Sequence, residues 1–391
     1  MNSSEIMYNM QSVSTIDFDE TCIEDDIEMN EEMEPKLRLA ITLKNWSIIP
    51  DNDSNLLSEG AVHALVALSS NDSSAIKKHV ASAFYHLSSR ENNRLALIKA
   101  NAVNGIVSIS MHPARFVTAK LCALALCNLS MCNNEEATVA ENGAILALTI
   151  LLGLRGHRLL PVCVQALYNL TCCSFTSHFK PETMRRIVKS LVNVPQTHYD
   201  HHIHLIKSIF NICRFSWVRS RMIEDGVLHS LLSFSESIPN RGTTNDKQEY
   251  ASLIIASIRM LAEIASGRND MIHKGSIQHL YNILPYCSSE SILELTLVIY
   301  NLIQMKMPSQ YFEAAAWTIA QILTDWNDKS IDIQQYCSIC IYLFIQKQHV
   351  LTFICIQKLM VSVTKLFGST VPLIQASVMA ICDLIMFNEH M

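Results

Sequence analysis

The sequence predicts an all-α solenoid, a stack of short helical units, on three observations. An asparagine recurs near the end of one helical pattern after another, at Asn45, Asn128, Asn169, Asn211 and Asn301, and His86, Glu263, Tyr342 and Asp383 fill the same slot in the other copies. Successive slots lie 41, 42, 41, 42, 52, 38, 41 and 41 residues apart, and a period near 40 with helical units marks stacked repeats. Ten glycines in 391 residues, with 49% hydrophobic content, leave little material for a strand-and-turn architecture.

The unit can be built helix by helix. Ala125-Leu126-Cys127-Asn128-Leu129-Ser130 returns as Ala83-Phe84-Tyr85-His86-Leu87-Ser88, as Leu167-Tyr168-Asn169-Leu170-Thr171 and as Ile209-Phe210-Asn211-Ile212-Cys213. A second motif follows each slot after about fourteen residues: Glu59-Gly60, Asn101-Ala102, Asn142-Gly143, Asp225-Gly226 and Lys274-Gly275. Glycine there suits a sharp turn between two helices because it accepts positive φ. Each unit therefore reads as three helices, in one copy Asn92 to Ala100, Ala102 to Ser110 and Ala114 to Ser130, with Pro113 just ahead of the third. Thr118, Cys122, Ala125 and Leu129 share one face of that third helix while Val117, Leu121, Leu124 and Asn128 line the next, so it is sandwiched between neighbours.

These blocks resemble the armadillo repeat: Asn-Leu-Ser, then Asn93-Arg94, an aliphatic such as Ile98, and Gly143-Ala144-Ile145 ahead of a leucine run. The resemblance extends from about Lys36 to the C-terminus and is strongest from Asn45 to Asn301. It implies a right-handed superhelix of eight to nine repeats over residues 36–391; the acidic composition of residues 1–35 makes them a disordered tail ahead of it. In that family the matching asparagine lines a concave groove and grips the backbone of an extended peptide. The resemblance therefore implies a partner-binding groove at Asn45, Asn128, Asn169, Asn211 and Asn301. An amide has one acceptor and two donors, so it can pair with a peptide backbone, or it can tie down a neighbouring helix end; the sequence leaves both open.

Four residues before each slot stand Ile41, Ser82, Leu124, Gln165, Lys207, Arg259, Leu297, Ser338 and Met379. Importin-α-like adaptors carry tryptophan there to hold lysine-rich peptides, and none appears here. Gln165, Lys207 and Arg259 are expected to face the groove, where the two cations would repel basic ligands and favour acidic or aliphatic ones. Residues 1–35 hold 11 acids and no Lys or Arg, leaving 30 basic against 25 acidic residues elsewhere. Such a tail solubilises, or folds back to compete for the positive groove.

Composition narrows the function class. No GxxxxGK, GxGxxG, GxSxG or HExxH pattern is present, so no enzyme, no cofactor and no catalytic residue is expected. A net charge of -6 and the lack of aromatic-rich basic motifs rank RNA binding below protein binding. Cys122, Cys127, Cys163 and Cys213 sit among aliphatics, and the Cys337/Cys340 pair has no second pair at zinc spacing, so core packing is expected rather than metal. His198, His201, His202 and His204 read as the solvated start of a third helix. No apolar run is long enough to span a bilayer and no signal peptide opens the chain, which points to the cytoplasm or nucleus. The 52-residue step predicts an inserted loop at about Ser235 to Lys247. The expectation is a protein-binding scaffold or adaptor; the alternatives are an importin-α-type transport adaptor and an RNA-binding helical repeat.

Overall fold

The computed structural model describes residues 34–113, 115–154, 159–172, 181–192, 202–240, 243–326, 330–346, 353–367 and 369–388. Among them every regular element is helical. The order begins with α1 (Pro35–Ile48), then α2 (Asp53–Ser58), α3 (Ala61–Ser69) and α4 (Ser74–Ser89). Next come α5 (Glu91–Lys99), α6 (Ala102–Met111) and α7 (Phe116–Ser130), and then α8 (Glu136–Val139), α9 (Ile145–Leu152) and α10 (Leu160–Thr171). The following unit shows α11 (Pro181–Val192) and α12 (His202–Cys213). Two complete units hold α13 (Ser216–Glu224), α14 (Val227–Glu236) and α15 (Thr244–Ala262), then α16 (Ala265–His273), α17 (Ser276–Ile283) and α18 (Ser289–Ile303). The last described units have two helices each: α19 (Ser309–Trp326) with α20 (Ile331–Gln346), and α21 (Phe353–Thr364) with α22 (Pro372–Asn388). Among the described residues, helix pairs thus stand after α18 in place of the three-helix unit expected throughout.

Stacking produces two rows. Each third helix packs on the next, α1 on α4, α4 on α7, and onward through α10, α12, α15, α18, α20 and α22. The second helices α3, α6, α9, α11, α14, α17, α19 and α21 do the same, and one apolar core runs between the rows. The chain is an all-α solenoid. No described helix alone is long and apolar enough to cross a membrane.

The turns between first and second helices follow the expected glycine logic. Gly60, Gly143, Gly226 and Gly275 all have positive φ, and so does Asn101, which stands at the same point with φ 62°. A Cβ on Gly226 would meet nothing closer than Val192 at 4.0 Å, so alanine there is opposed by backbone conformation alone. Gly226→Ala should destabilise by about 1 kcal/mol and Asn101→Gly should stabilise by a few tenths, read as shifts in the urea midpoint. Equal midpoints for Gly226→Ala and the parent would contradict this.

Burial fixes the register and corrects part of it. The residues at one and two places after the slot are buried in each internal copy: Leu129 and Ser130, Leu170 and Thr171, Ile212 and Cys213, Leu302 and Ile303. In α15 the matching pair is Leu261 and Ala262, so the slot is Met260 and not Glu263, which caps the helix end. The steps around it become 49 and 41 residues. Phe344 and Ile345 likewise place the slot of α20 at Leu343 rather than Tyr342, and the buried Ile374, Val378 and Ile381 of α22, each 41 residues after Ile333, Cys337 and Cys340 of α20, are in phase with a slot one place after Asp383. A polar side chain near the expected spacing is no substitute for helical phase.

The predicted insertion is also smaller than expected. Ser235 and Glu236 remain in α14, Ile238–Asn240 form a 3-10 turn, and Thr244 to Lys247 belong to α15. Thr243 starts α15 with a capping box, its hydroxyl accepting from the Asp246 N–H while the Asp246 carboxylate accepts from the Thr243 N–H. The extra residues therefore make a third helix of 19 residues where α7 has 15. Cys122, Cys127, Cys163, Cys213, Cys337 and Cys340 lie in the core, where burial pushes the thiols of Cys122, Cys127, Cys213 and Cys337 up to about 12. His202 is buried against Phe234, ring centroids 4.8 Å apart, which overturns its solvated assignment. His198, His201 and the acidic tail before Glu34 lie outside the described residues.

Candidate functional site

Helical phase turns one stripe of each third helix away from the core, and from α7 to α12 it is half-buried except at Leu124 and Asn169, which are buried. It holds the slot, the residue four before it and the residue eight before it, since positions four apart share a face. In α7 these are Asn128, Leu124 and Lys120; in α10 they are Asn169, Gln165 and Pro161; in α12 they are Asn211, Lys207 and Ile203. Side by side, the stripes form a continuous third-helix face.

The asparagines in this face are bonded to each other's repeats. The Asn128 amide donates to Ser88 Oγ at 3.2 Å, Asn169 donates to Ser130 Oγ at 3.0 Å, and Asn211 donates to Thr171 Oγ1 at 3.5 Å. Each hydroxyl donates in turn to the carbonyl three residues before it, Tyr85, Cys127 and Tyr168. One donor of each amide thus ties its repeat to the preceding one. Gln165 donates to the Asn169 carbonyl oxygen at 2.8 Å. The Ser or Thr two places after the slot is the acceptor that the sequence reading missed, although Asn-Leu-Ser and Asn-Leu-Thr were legible triplets. Asn169→Ala and Ser130→Ala should each destabilise by about 1 kcal/mol and the pair by less than the sum. Strict additivity in the double-mutant cycle would remove the bond from the account.

Both cations expected to serve an acidic ligand are already satisfied. Lys207 pairs with Glu249 at 2.7 Å. Arg259 pairs with Glu263 at 3.0 Å and with Glu294. Burial raises the Glu294 pKa, an effect Arg259 opposes. With the slot at Met260, Arg259 stands directly beside it, not four residues before, so it leans toward α18 and off the central line. Glu263 also accepts from Arg219, whose Nε donates to the Cys213 carbonyl at 2.6 Å.

Past α12 the face changes character. Leu253, Ala256 and Met260 of α15, Leu293, Leu297 and Tyr300 of α18, and Ile339, Tyr342 and Leu343 of α20 are all half-buried there. Asn301 is half-buried among them, whereas Asn45, in the first helix of the row, is exposed. The face is thus amide-lined from α7 to α12 and apolar from α15 to α20.

No family model and no curated protein matches this sequence. Solved structures do. A chain from the structure of the cadherin and beta-catenin interaction, controlled by a conserved phosphorylation switch, aligns over 88% of this chain and 65% of its own, with TM-score 0.62 and 13% identity. The fold is an armadillo-type solenoid. A designed armadillo repeat protein aligns over 57% of this chain and 92% of its own, with TM-score 0.44 and 19% identity. A computationally designed set for modular peptide recognition gives 56% and 91%, with TM-score 0.44 and 19% identity. The armadillo fold accounts for the third helices lying in one row with their slots aligned.

Proposed function

We propose that this protein is a non-catalytic binding scaffold of the cytoplasm or nucleus, holding an extended segment of a partner protein on its third-helix face. The single observation that carries this reading is the continuity of that face: a row of amides spaced by one repeat, running into a row of half-exposed aliphatic and aromatic side chains. An extended chain needs backbone partners at intervals and receptive surface for its side chains. The amides of Asn128 and Asn211 each have further hydrogen-bonding capacity beyond the bond to the preceding repeat. The structure with similar fold concerns the interaction of beta-catenin with cadherin, a binding role of the same class.

The ligand this face suits is aliphatic. An acidic segment would have to displace Glu249 from Lys207 and Glu263 or Glu294 from Arg259, each a loss that offsets the gain. The test is affinity capture from native lysate with the wild type and with an Asn128→Ala, Asn211→Ala, Leu297→Glu variant, followed by titration of synthetic peptides from the captured partner. The variant should lose the partner while keeping its helix content, and binding should change little with salt. Equal capture by both proteins would overturn the site. Repeating the titration without residues 1–35 tests the tail: an unchanged affinity removes it as a competitor.

A further inference from the structure

We propose that copies of this chain associate head to tail, the α1 end of one seated on the α22 end of the next. This is independent of what the third-helix face binds. It rests on the repeat register, which shows that the two ends present opposite halves of one recurring interface.

Consider the residue five places before the slot. It is Ala123, Val164, Ile206, Ile255, Thr296 and Ser338 in successive copies, and each is fully buried where its third helix meets its neighbour. In α22 the same position is Met379, and it is 67% exposed. Met379 and Phe367 wall a hollow whose floor includes Leu366 and Val378, and Val361 and Leu373 are exposed nearby in sequence. The first helix shows the converse. The residue after the slot is Leu87, Leu129, Leu170, Ile212, Leu261 and Leu302 in later copies, all buried, but in α1 it is Trp46, 53% exposed. Leu39 of α1, six places before the slot, is 44% exposed although its counterparts Val80 and Cys122 are buried. Eight of the exposed large hydrophobic residues, Leu39, Trp46, Ile48 and Ile49 with Val361, Phe367, Leu373 and Met379, therefore belong to the two ends.

A solenoid needs polar outer faces on its terminal units to remain soluble as a single stack. The first and last described units here each keep apolar surface that an internal unit buries. The surface complementary to the α22 end is present on this same chain, at α1, because every internal unit already makes that contact. Charge agrees. α1 carries Lys36, Arg38 and Lys44 and no acid, while Asp383 edges the hollow at α22. The cations of the α22 end turn back on their own chain: Lys365 donates to the Thr324 carbonyl and Lys358 lies 3.9 Å over the Trp317 ring. Because the two surfaces differ, the contact is heterologous and can extend beyond a pair.

The experiment is sedimentation velocity of the full chain over a roughly hundredfold concentration range, with Trp46→Glu and Met379→Glu as variants at exposed positions and helix content and melting temperature as folding controls. The wild type should pass from 44.0 kDa to about twice that mass and beyond as concentration rises. Each variant alone should stay at the monomer mass, and an equimolar mixture should form a 1:1 pair and stop, since each partner supplies one intact end. Three results would overturn the proposal: a wild type that stays monomeric throughout, a Trp46→Glu variant that pairs with itself, or a full chain that associates only after residues 1–33 are removed. The second would make the contact symmetric, and the third would assign the α1 end to the chain's own tail.

Discussion

Gly267→Ala should destabilise this protein more than a methyl group added at any other described glycine, by about 3 kcal/mol or more. Gly267 lies in the first turn of α16, directly after the 120° bend from α15. A Cβ built there would collide with the Leu261 carbonyl and approach Ile223 Cδ1 at 3.0 Å. The obstacle is backbone that cannot rotate away. It is also fixed by Arg268, whose guanidinium donates to the carbonyls of Ala262 at 2.9 Å and Glu263 at 3.0 Å. The gain of about 1 kcal/mol in helix propensity on replacing glycine does not offset such a contact. Gly60→Ala is the control, since nothing lies within 4 Å of its Cβ and only its φ of 78° opposes the change. Chemical denaturation of both variants decides the matter: similar midpoints would show that α15 and α16 can part without loss.

His86→Asn should make the protein more resistant to acid. His86 occupies the ladder slot of α4, and its Nε2 is buried without a hydrogen-bond partner. Burial, with Lys44 and Arg90 adding to it, lowers its pKa from 6.5 to about 4. The folded state therefore resists protonation more than the unfolded chain does. Stability from this group is fully present above pH 6.5 and is lost as the pH falls toward 4. After discounting for partial exposure, the loss is about 2 kcal/mol. Asparagine does not titrate, and its amide stands where it can reach Ser47 Oγ as Asn128 reaches Ser88. Unfolding free energies at pH 7 and pH 4 should fall further for the parent than for the variant. Parallel pH profiles would show that His86 contributes nothing to acid sensitivity.

Much of the fold was legible because it repeats. The limits predicted for α5 and α6 agree with the structure to within one residue, since Asn101 supplies a left-handed turn and the apolar spacing fixes the faces. Where the period breaks, sequence spacing misleads. Glu263 reads as the slot because it is polar and near the right count, but a helix registers by burial phase, and Leu261 and Ala262 set that phase. The Ser235 to Lys247 segment contains both proline and glycine, yet Thr243 and Asp246 form a cap that lets α15 begin three residues before the expected end of the loop. The site was half legible. Asparagine at a fixed period marks a face, but whether an amide points along that face or back to the preceding unit depends on a hydroxyl one repeat away. The pairing of Lys207 and Arg259 could not be read from their own neighbourhoods, because Glu249 and Glu294 come from the next third helix.

Those ion pairs and the asparagine bonds divide the array into two mechanical regimes. From α4 to α12 neighbouring third helices are latched by neutral, directional hydrogen bonds that ions in solution do not screen. From α12 to α18 charged pairs carry most of the latching, Lys207 to Glu249 and Arg259 to Glu294, beside one neutral bond between the Ser252 and Ser291 hydroxyls. Mobile ions weaken partly exposed pairs of this kind. Ionic strength should thus act as a selective lubricant, speeding amide hydrogen exchange in α15 and α18 while leaving α7 and α10 as they were. The middle of the molecule then behaves as a joint whose stiffness the surrounding electrolyte sets.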